Sequence, residues 1–344
     1  MKETLERIAA SVEGRIKALF AELGQGPRDG LFAVPAPEPL LRRVEELTLR
    51  GGKRLRAALL VEAAACFDRD AERNPAALDA ACALELLHSY FLIHDDIMDG
   101  DEIRRGGPTM QVDLARAVGD DKLGVGLGIL AGDLAAALHE RLIAGLALPE
   151  PRRQDVARIF AAMHLEVVHG QTLDMMGGAP PEEVGSRKTA SYTTVGPLLA
   201  GAAVVGAGDA EARRLSEFGR CVGVAFQHRD DLLGCFGRPE ITGKSAGNDL
   251  TTGKPTFLVA EALRRASEPE ERAIRAALGN AGADERTVQA ARDAIESSGG
   301  RAACEARIGE LIAEAVRILG PAPYLEDGKR FLLDVAGFMG SRDA

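Results

Sequence analysis

The stretch His88-Ser-Tyr-Phe-Leu-Ile-His-Asp-Asp-Ile-Met-Asp-Gly-Asp-Glu-Ile-Arg-Arg, residues 88–105, governs how the rest of the chain is read. It starts inside an apolar helical run, residues 77–93, and ends in dense charge. Residues three or four apart share a helix face, so His88, Phe91, Leu92, Asp95 and Asp99 form one stripe, with Asp96 beside it. Carboxylates crowded into one turn repel one another and need either open water or a bound cation. Mg²⁺ is the natural cation, a hard ion held by one or two carboxylates plus substrate phosphates. Arg104 and Arg105 follow at once; a metal alone has no use for them, whereas a metal-bound phosphate does. Solvated surface stays open as the alternative at this point. An EF-hand fits poorly, because Ile97 and Met98 stand where its loop needs oxygens.

Composition narrows the class. The chain has 344 residues, 46% hydrophobic and only 4% aromatic, without Trp, and Ala and Leu dominate. That favours an all-α protein with small-residue packing. A net charge of −10 argues against a nucleic-acid partner. The five cysteines (Cys66, Cys82, Cys221, Cys235, Cys304) are widely spaced with no CxxC, which points to free thiols and a cytoplasmic setting. The N-terminus lacks a signal-peptide core. The longest apolar stretch, residues 195–208, is glycine-rich and too short to span a bilayer, so no membrane span is expected.

Helical periodicity recurs along the whole chain. Helices are predicted near 2–23, 38–49, 53–67, 75–98, 108–118, 122–145, 151–176, 182–206, 209–234, 254–266, 268–278, 283–298, 300–318 and 322–338. Loops fall near 24–38, 100–107, 177–181 and 234–253, and none is long enough to divide the chain, so residues 1–344 read as one domain. Gly124, Gly126, Gly128 and Gly132 interrupt one helix, each at roughly 1 kcal/mol relative to Ala. They serve either close helix–helix approach, including one at a subunit interface, or substrate passage.

A second acidic pair, Asp230 and Asp231, ends another apolar helix in Phe226-Gln-His-Arg-Asp-Asp-Leu-Leu-Gly234. Two such pairs suggest carboxylates opposed across a helix-bundle cavity, where the negative helix ends also favour a cation. Basic elements match them. Gly51-Gly-Lys-Arg-Leu-Arg56 opens a helix and can hold an anion, or is merely a solvated helix start. Arg187-Lys-Thr189, Lys244 and Lys254 complete the set, with Asn248-Asp249 between the two lysines.

Taken in order, Gly-Gly-Lys-Arg-Leu-Arg, the 88–99 stretch, Arg-Arg-Gly-Gly-Pro-Thr, Gly-Gln-Thr-Leu-Asp, Lys-Thr and Phe-Gln-His-Arg-Asp-Asp-Leu-Leu resemble the trans-isoprenyl diphosphate synthases, or polyprenyl synthetases, over roughly residues 45–260. The resemblance implies a bundle of long antiparallel helices around a central cavity, normally a homodimer. It implies Mg²⁺-dependent head-to-tail condensation of isopentenyl diphosphate with an allylic diphosphate such as dimethylallyl or geranyl diphosphate. Carried over, Asp95 and Asp99, with Asp96 supporting, resemble the ligands of one metal group, and Asp230 with its neighbour Asp231 those of another. Arg104, Lys188 and Lys254, assisted by Lys244, would grip the allylic diphosphate. Lys53, Arg56, His88 and Arg105 would form the metal-free pocket for isopentenyl diphosphate. Gln171, Asp174, Thr189 and Gln227 match positions near the reacting carbons and metals. His88 stands seven residues before Asp95, about 10 Å along a helix axis, a spacing that suits a second diphosphate.

The sequence departs from the pattern at Gly234, where the second motif usually carries a third Asp; Asp249 is the candidate to compensate. Tyr90 and Phe91 lie just below Asp95 and resemble the aromatic pair that stops elongation early, or are simply core side chains. Farnesyl diphosphate is therefore the expected main product, with geranylgeranyl or geranyl diphosphate as alternatives. A class I terpene cyclase would share the first aspartate motif but has no use for a second diphosphate pocket. A non-catalytic partner subunit of another synthase is the other rival, favoured only by Gly234.

Overall fold

The computed structural model describes residues 1–24, 38–237, 247–254 and 256–341. The chain is all-α. The helices are α1 (Lys2–Gly24), α2 (Glu38–Leu49), α3 (Leu55–Ala65), α4 (Pro75–Asp99), α5 (Met110–Val118), α6 (Asp121–Ala144), α7 (Glu150–Met176) and α8 (Pro181–Gly185). The last of these runs on as a π-helix over Ser186–Val195. Then follow α9 (Gly196–Val205), α10 (Asp209–Phe236), α11 (Asn248–Thr251), α12 (Phe257–Arg265), α13 (Glu268–Ala277), α14 (Glu285–Ser297), α15 (Gly300–Leu319) and α16 (Glu326–Ser341). Among the described residues the only sheet is a two-stranded ribbon, β1 (Ile103–Arg104) antiparallel to β2 (Gly107–Pro108), inside the loop predicted at 100–107.

The chain forms two compact units. The first comprises Met1–Arg158 with Ala200–Ala207, the second Ile159–Leu199 with Gly208–Ala344. In the first, α4 is the central element and packs along α6. Its start is set by Asn74, whose side chain accepts from the Ala76 N–H, with Pro75 in the first turn. Gly100 ends it in a left-handed conformation at φ 69°. Leu84, Leu86, Leu87 and Ile93 are wholly buried, each contributing about 1.5–3 kcal/mol.

Glycines bring α6 close. A side chain at Gly132 would collide with the His94 ring, and one at Gly124 with Ala115, whereas Gly126 faces open space. Close approach within the unit therefore accounts for most of that glycine run. Both α4 and α6 are long and apolar enough to cross a bilayer by length and composition, a property the sequence reading gave to no stretch. Within their apolar windows 78% of α4 is buried inside the protein, as in a core helix, but only 39% of α6.

In the second unit α10 is the axis. Leu215, Phe218, Val222, Ala225, Leu232 and Cys235 are buried along it, a spacing of three and four residues that makes one apolar stripe. Against it lie Leu250, Leu258, Ile274, Ile295, Cys304 and Ile308. The predicted helix at 182–206 is not uniform, since its middle widens into the π-helix. There the Thr194 hydroxyl donates to the Ala190 carbonyl at 2.9 Å and to the Gly219 carbonyl of α10 at 2.6 Å. Pro197, which has no N–H to donate, opens the next α-helical segment.

Candidate active site

In the first unit the C-terminal turn of α4 carries the acidic stripe. Asp99 is exposed and Asp95 half-buried, with His88 buried two turns earlier. Asp96 points elsewhere and is wholly buried. Its Oδ1 accepts from Arg104 Nε at 2.7 Å, and the same guanidinium donates to Asp101 Oδ2 at 3.2 Å. Burial pushes the Asp96 carboxyl above its ordinary range, and the ion pair with Arg104 offsets this only in part. The expected place of Asp96 beside the metal ligands is thus taken up by another duty, holding Arg104. Packing decides this, because the helix face that carries Asp96 is turned inward, where Gln111 Nε2 also donates to its backbone carbonyl at 3.2 Å.

Next to this stripe the loop before α3 makes a cationic surface. Gly51 and Gly52 have φ of 64° and 107°, conformations that glycine adopts freely. Arg105 donates from Nη1 to the carbonyls of Arg50 at 3.2 Å and Gly51 at 3.1 Å, and its Nη2 lies 3.3 Å from His88 Nε2. Burial, then the charges of Arg56, Arg105, Arg54 and Arg104, hold His88 well below its usual pKa. His88 is therefore neutral. Lys53 is exposed and Arg56 half-buried. The four residues expected around a second diphosphate fall on this one unit, with Arg56 and Arg105 near His88.

The second unit has its own small, open cleft, bordered by Asp174, Lys188, Thr189, Gln227, Asp231 and Lys254, with Thr256 added to the expected set. Lys188 Nζ donates to Asp174 Oδ2 at 2.8 Å, and Gln227 Nε2 to Asp231 Oδ1 at 2.9 Å. The π-helix brings Lys188 here, and Gly170 lets α7 touch its backbone, since any side chain at 170 would strike Lys188. Burial raises the Asp231 carboxyl to about 6, against the lowering effects of Gln227 and Lys254. Gln171 is buried on α7 three residues before Asp174. Asp230, on α10 one turn before Gly234, is half-buried. Lys244 lies outside the described residues, as does Pro255.

The departure at Gly234 acquires a physical meaning. A β-carbon built on Gly234 would collide with Asp249 Oδ2 and lie 2.6 Å from its Cγ. The carboxylate of Asp249, from α11, fills the space that a side chain at 234 would need. Arg54, by contrast, carries no signal of its own in the sequence. In sequence it is one more cation in a basic motif, and only its burial distinguishes it.

Aspartates end α4 and α10, cations lie near each, and apart from one short ribbon the described frame is helical. The sequence model of the polyprenyl synthetases matches residues 37–295. Geranylgeranyl diphosphate synthase of Sulfolobus acidocaldarius is 36% identical over 255 residues, covering 72% of this chain and 73% of that protein. Geranylfarnesyl diphosphate synthase of Aeropyrum pernix is 32% identical over 317 residues, covering 88% and 94%. The crystal structure of geranylgeranyl pyrophosphate synthase from Corynebacterium glutamicum, complexed with isoprenyl diphosphate and magnesium, superposes with a TM-score of 0.87 at 30% identity, covering 98% of this chain and 99% of that one. The chain belongs to the polyprenyl synthetase family. Its enzyme class is prenyltransferase.

Proposed function

We propose that the protein condenses isopentenyl diphosphate with allylic diphosphates, and that geranylgeranyl diphosphate is its main product. The observation that carries the reaction is the pairing of the acidic end of α4 with a separate cationic pocket beside His88 of the same helix. One diphosphate that needs metal and one that does not are what such a pair can accommodate.

Asp95 and Asp99 in the first unit, and Asp230 with Asp231 in the second, are the residues to hold divalent cations, with Mg²⁺ the best match to an all-oxygen donor set. Among the described residues no three acidic or imidazole side chains converge into a ready-made cage. That suits ions which complete their shells with diphosphate oxygens. Asp249 supplies the carboxylate that residue 234 lacks. When bound, the cations stabilise negative charge on the departing pyrophosphate. Arg104, Lys188 and Lys254 bind the allylic diphosphate. Arg104 is oriented by Asp96, and Lys188 is held by Asp174 until substrate displaces that partner. Lys53, Arg56, neutral His88 and Arg105 bind isopentenyl diphosphate. The allylic C–O bond breaks with its electrons leaving on pyrophosphate. The double bond of isopentenyl diphosphate attacks the resulting cation, and transfer of a proton to the released pyrophosphate completes the new allylic product.

Two considerations favour geranylgeranyl over the farnesyl product expected from Tyr90 and Phe91. Relatives that carry the geranylgeranyl name recur among the similar proteins. The two rings touch, with centroids 5.2 Å apart, but Tyr90 also has a second ring as partner. Tyr90 packs edge-on against His94 at 4.7 Å, and His94 Nε2 lies 3.2 Å from the Ile129 carbonyl beside the notch of Gly132. Tyr90 is thus engaged towards α6, which leaves Phe91 as the aromatic ring on the Asp95 stripe.

The match at 37–295 draws on both compact units, which supports one catalytic domain. A homodimer is the proposed assembly. Leu123, Val125, Ile129 and Leu130 on α6 are 40–54% exposed, an apolar face suited to a second copy. Five free cysteines, four of them buried, support a reducing compartment. Mass analysis of the product from dimethylallyl diphosphate, isopentenyl diphosphate and Mg²⁺ tests the reading. A C20 diphosphate is expected; turnover of a preformed prenyl diphosphate without isopentenyl diphosphate would mark a cyclase instead.

A further inference from the structure

Arg54 sits between two residues of the proposed isopentenyl diphosphate pocket, Lys53 and Arg56, yet it points away from solvent. It is 4% exposed and adopts a left-handed backbone at φ 49°. An L-residue other than glycine pays about 1 kcal/mol or more for that conformation. Something must hold it there. Its Nη1 donates to Glu85 Oε2 at 2.8 Å, and its Nε to Glu13 Oε1 at 3.2 Å. Glu85 is itself only 3% exposed. A carboxylate that deeply buried would be strongly unfavourable alone, so the guanidinium cannot leave it to swing outward.

The consequence is geometric. Glu85 lies one turn before His88 on α4, so the ion pair fastens the cationic loop to the very turn that carries the pocket's histidine. The Arg54 carbonyl accepts from the Ala58 N–H at 2.9 Å and starts α3. With the side chain drawn inward and the carbonyl committed to the helix, the preceding residue, Lys53, is left outside. The second residue after it, Arg56, comes near enough to His88 to depress its pKa. From the other side Arg105 clasps the carbonyls of Arg50 and Gly51. The loop is pinned at both ends before any ligand arrives.

We propose that Arg54 is the positioning residue of the isopentenyl diphosphate pocket: its buried pair with Glu85 and Glu13 aims Lys53 and Arg56 without itself touching substrate. The inference rests on the reading of Lys53, Arg56 and His88 as that pocket. A pre-aimed pair of cations avoids the ordering cost that flexible ones meet on binding. Loss of the anchor therefore weakens the diphosphate without metal and spares the one at the aspartates.

The test uses Arg54→Lys, which keeps the charge but loses the two-pronged reach. Because that variant can leave Glu85 poorly paired, the double variant Arg54→Met/Glu85→Leu, an apolar replacement of the pair, accompanies it. In each variant KM for isopentenyl diphosphate should rise about 10-fold or more, as should its Kd by calorimetry without metal, a loss of about 1.4 kcal/mol. KM for geranyl diphosphate and kcat at saturation should stay within about threefold. A folded variant with a lowered Tm but unchanged isopentenyl diphosphate binding would overturn the proposal. Lys53→Ala separates the two levels. If it weakens binding while the Arg54 variants do not, only the anchor is wrong. If it too leaves binding untouched, the pocket lies elsewhere and the inference falls with it.

Discussion

Single residues carry the sharpest consequences. Restoring the missing third aspartate with Gly234→Asp should harm the enzyme, because the new side chain must enter space held by Asp249. We expect a fall in kcat of about 10-fold or more, and recovery in the swapped variant Gly234→Asp/Asp249→Gly, measured by steady-state kinetics. A swapped variant no better than the single one would remove Asp249 from the role of substitute ligand. Asp231 gives a second prediction through its raised pKa. Between its ordinary value of 3.8 and about 6 the folded protein keeps a proton that the unfolded chain has lost. Stability therefore falls as pH rises through that window and stays lower above it. In chelator, Asp231→Asn should be more stable than the parent at pH 8 by on the order of 2 kcal/mol, and no more stable at pH 4. Denaturant unfolding at the two pH values measures the difference.

At the scale of elements, α4 sets the argument, because its faces go to different neighbours. Tyr90 and His94 belong to the side that meets α6, whereas Phe91 belongs with Asp95 and Asp99. Phe91→Ala should lengthen the product by at least one isoprene unit, seen by mass analysis, and Tyr90→Ala should do so less. Equal shifts from both would contradict the division of labour. A helical wheel places the two rings 100° apart, but which side meets α6 depends on where Gly132 leaves room for His94. The π-helix is a similar case. Its small and hydroxyl-bearing residues read as ordinary helix, and the wider turn depends on contacts with α10 such as Thr194 to the Gly219 carbonyl.

At the scale of the whole molecule, the exposed apolar face of α6 bears on assembly. Light scattering should find the protein dimeric, and Leu130→Glu should shift it towards monomer with a matching loss of activity. The thiols bear on folding. Cys235 and Cys304 are pushed up to about 12 by burial, and Cys66 and Cys82 are buried as well. A thiol reagent at pH 8 should label at most Cys221 quickly in the native protein and all five in denaturant.

Apolar spacing and terminal carboxylates made the helices legible in advance: residues 38–49 coincide with α2, and 75–98 differ from α4 by one residue. Those signals are local, carried by neighbours three or four positions apart, so the sequence by itself determined the helical frame, the acidic helix ends and the cations about them. Tertiary structure decided which atoms meet. It turned Asp96 inward to Arg104, drove Arg54 onto Glu85, and laid Asp249 in the space beside Gly234. Such pairings join residues that are 8, 31 and 15 positions apart along the chain. Close packing selects among many side chains of the right chemistry, and local periodicity carries no record of that choice.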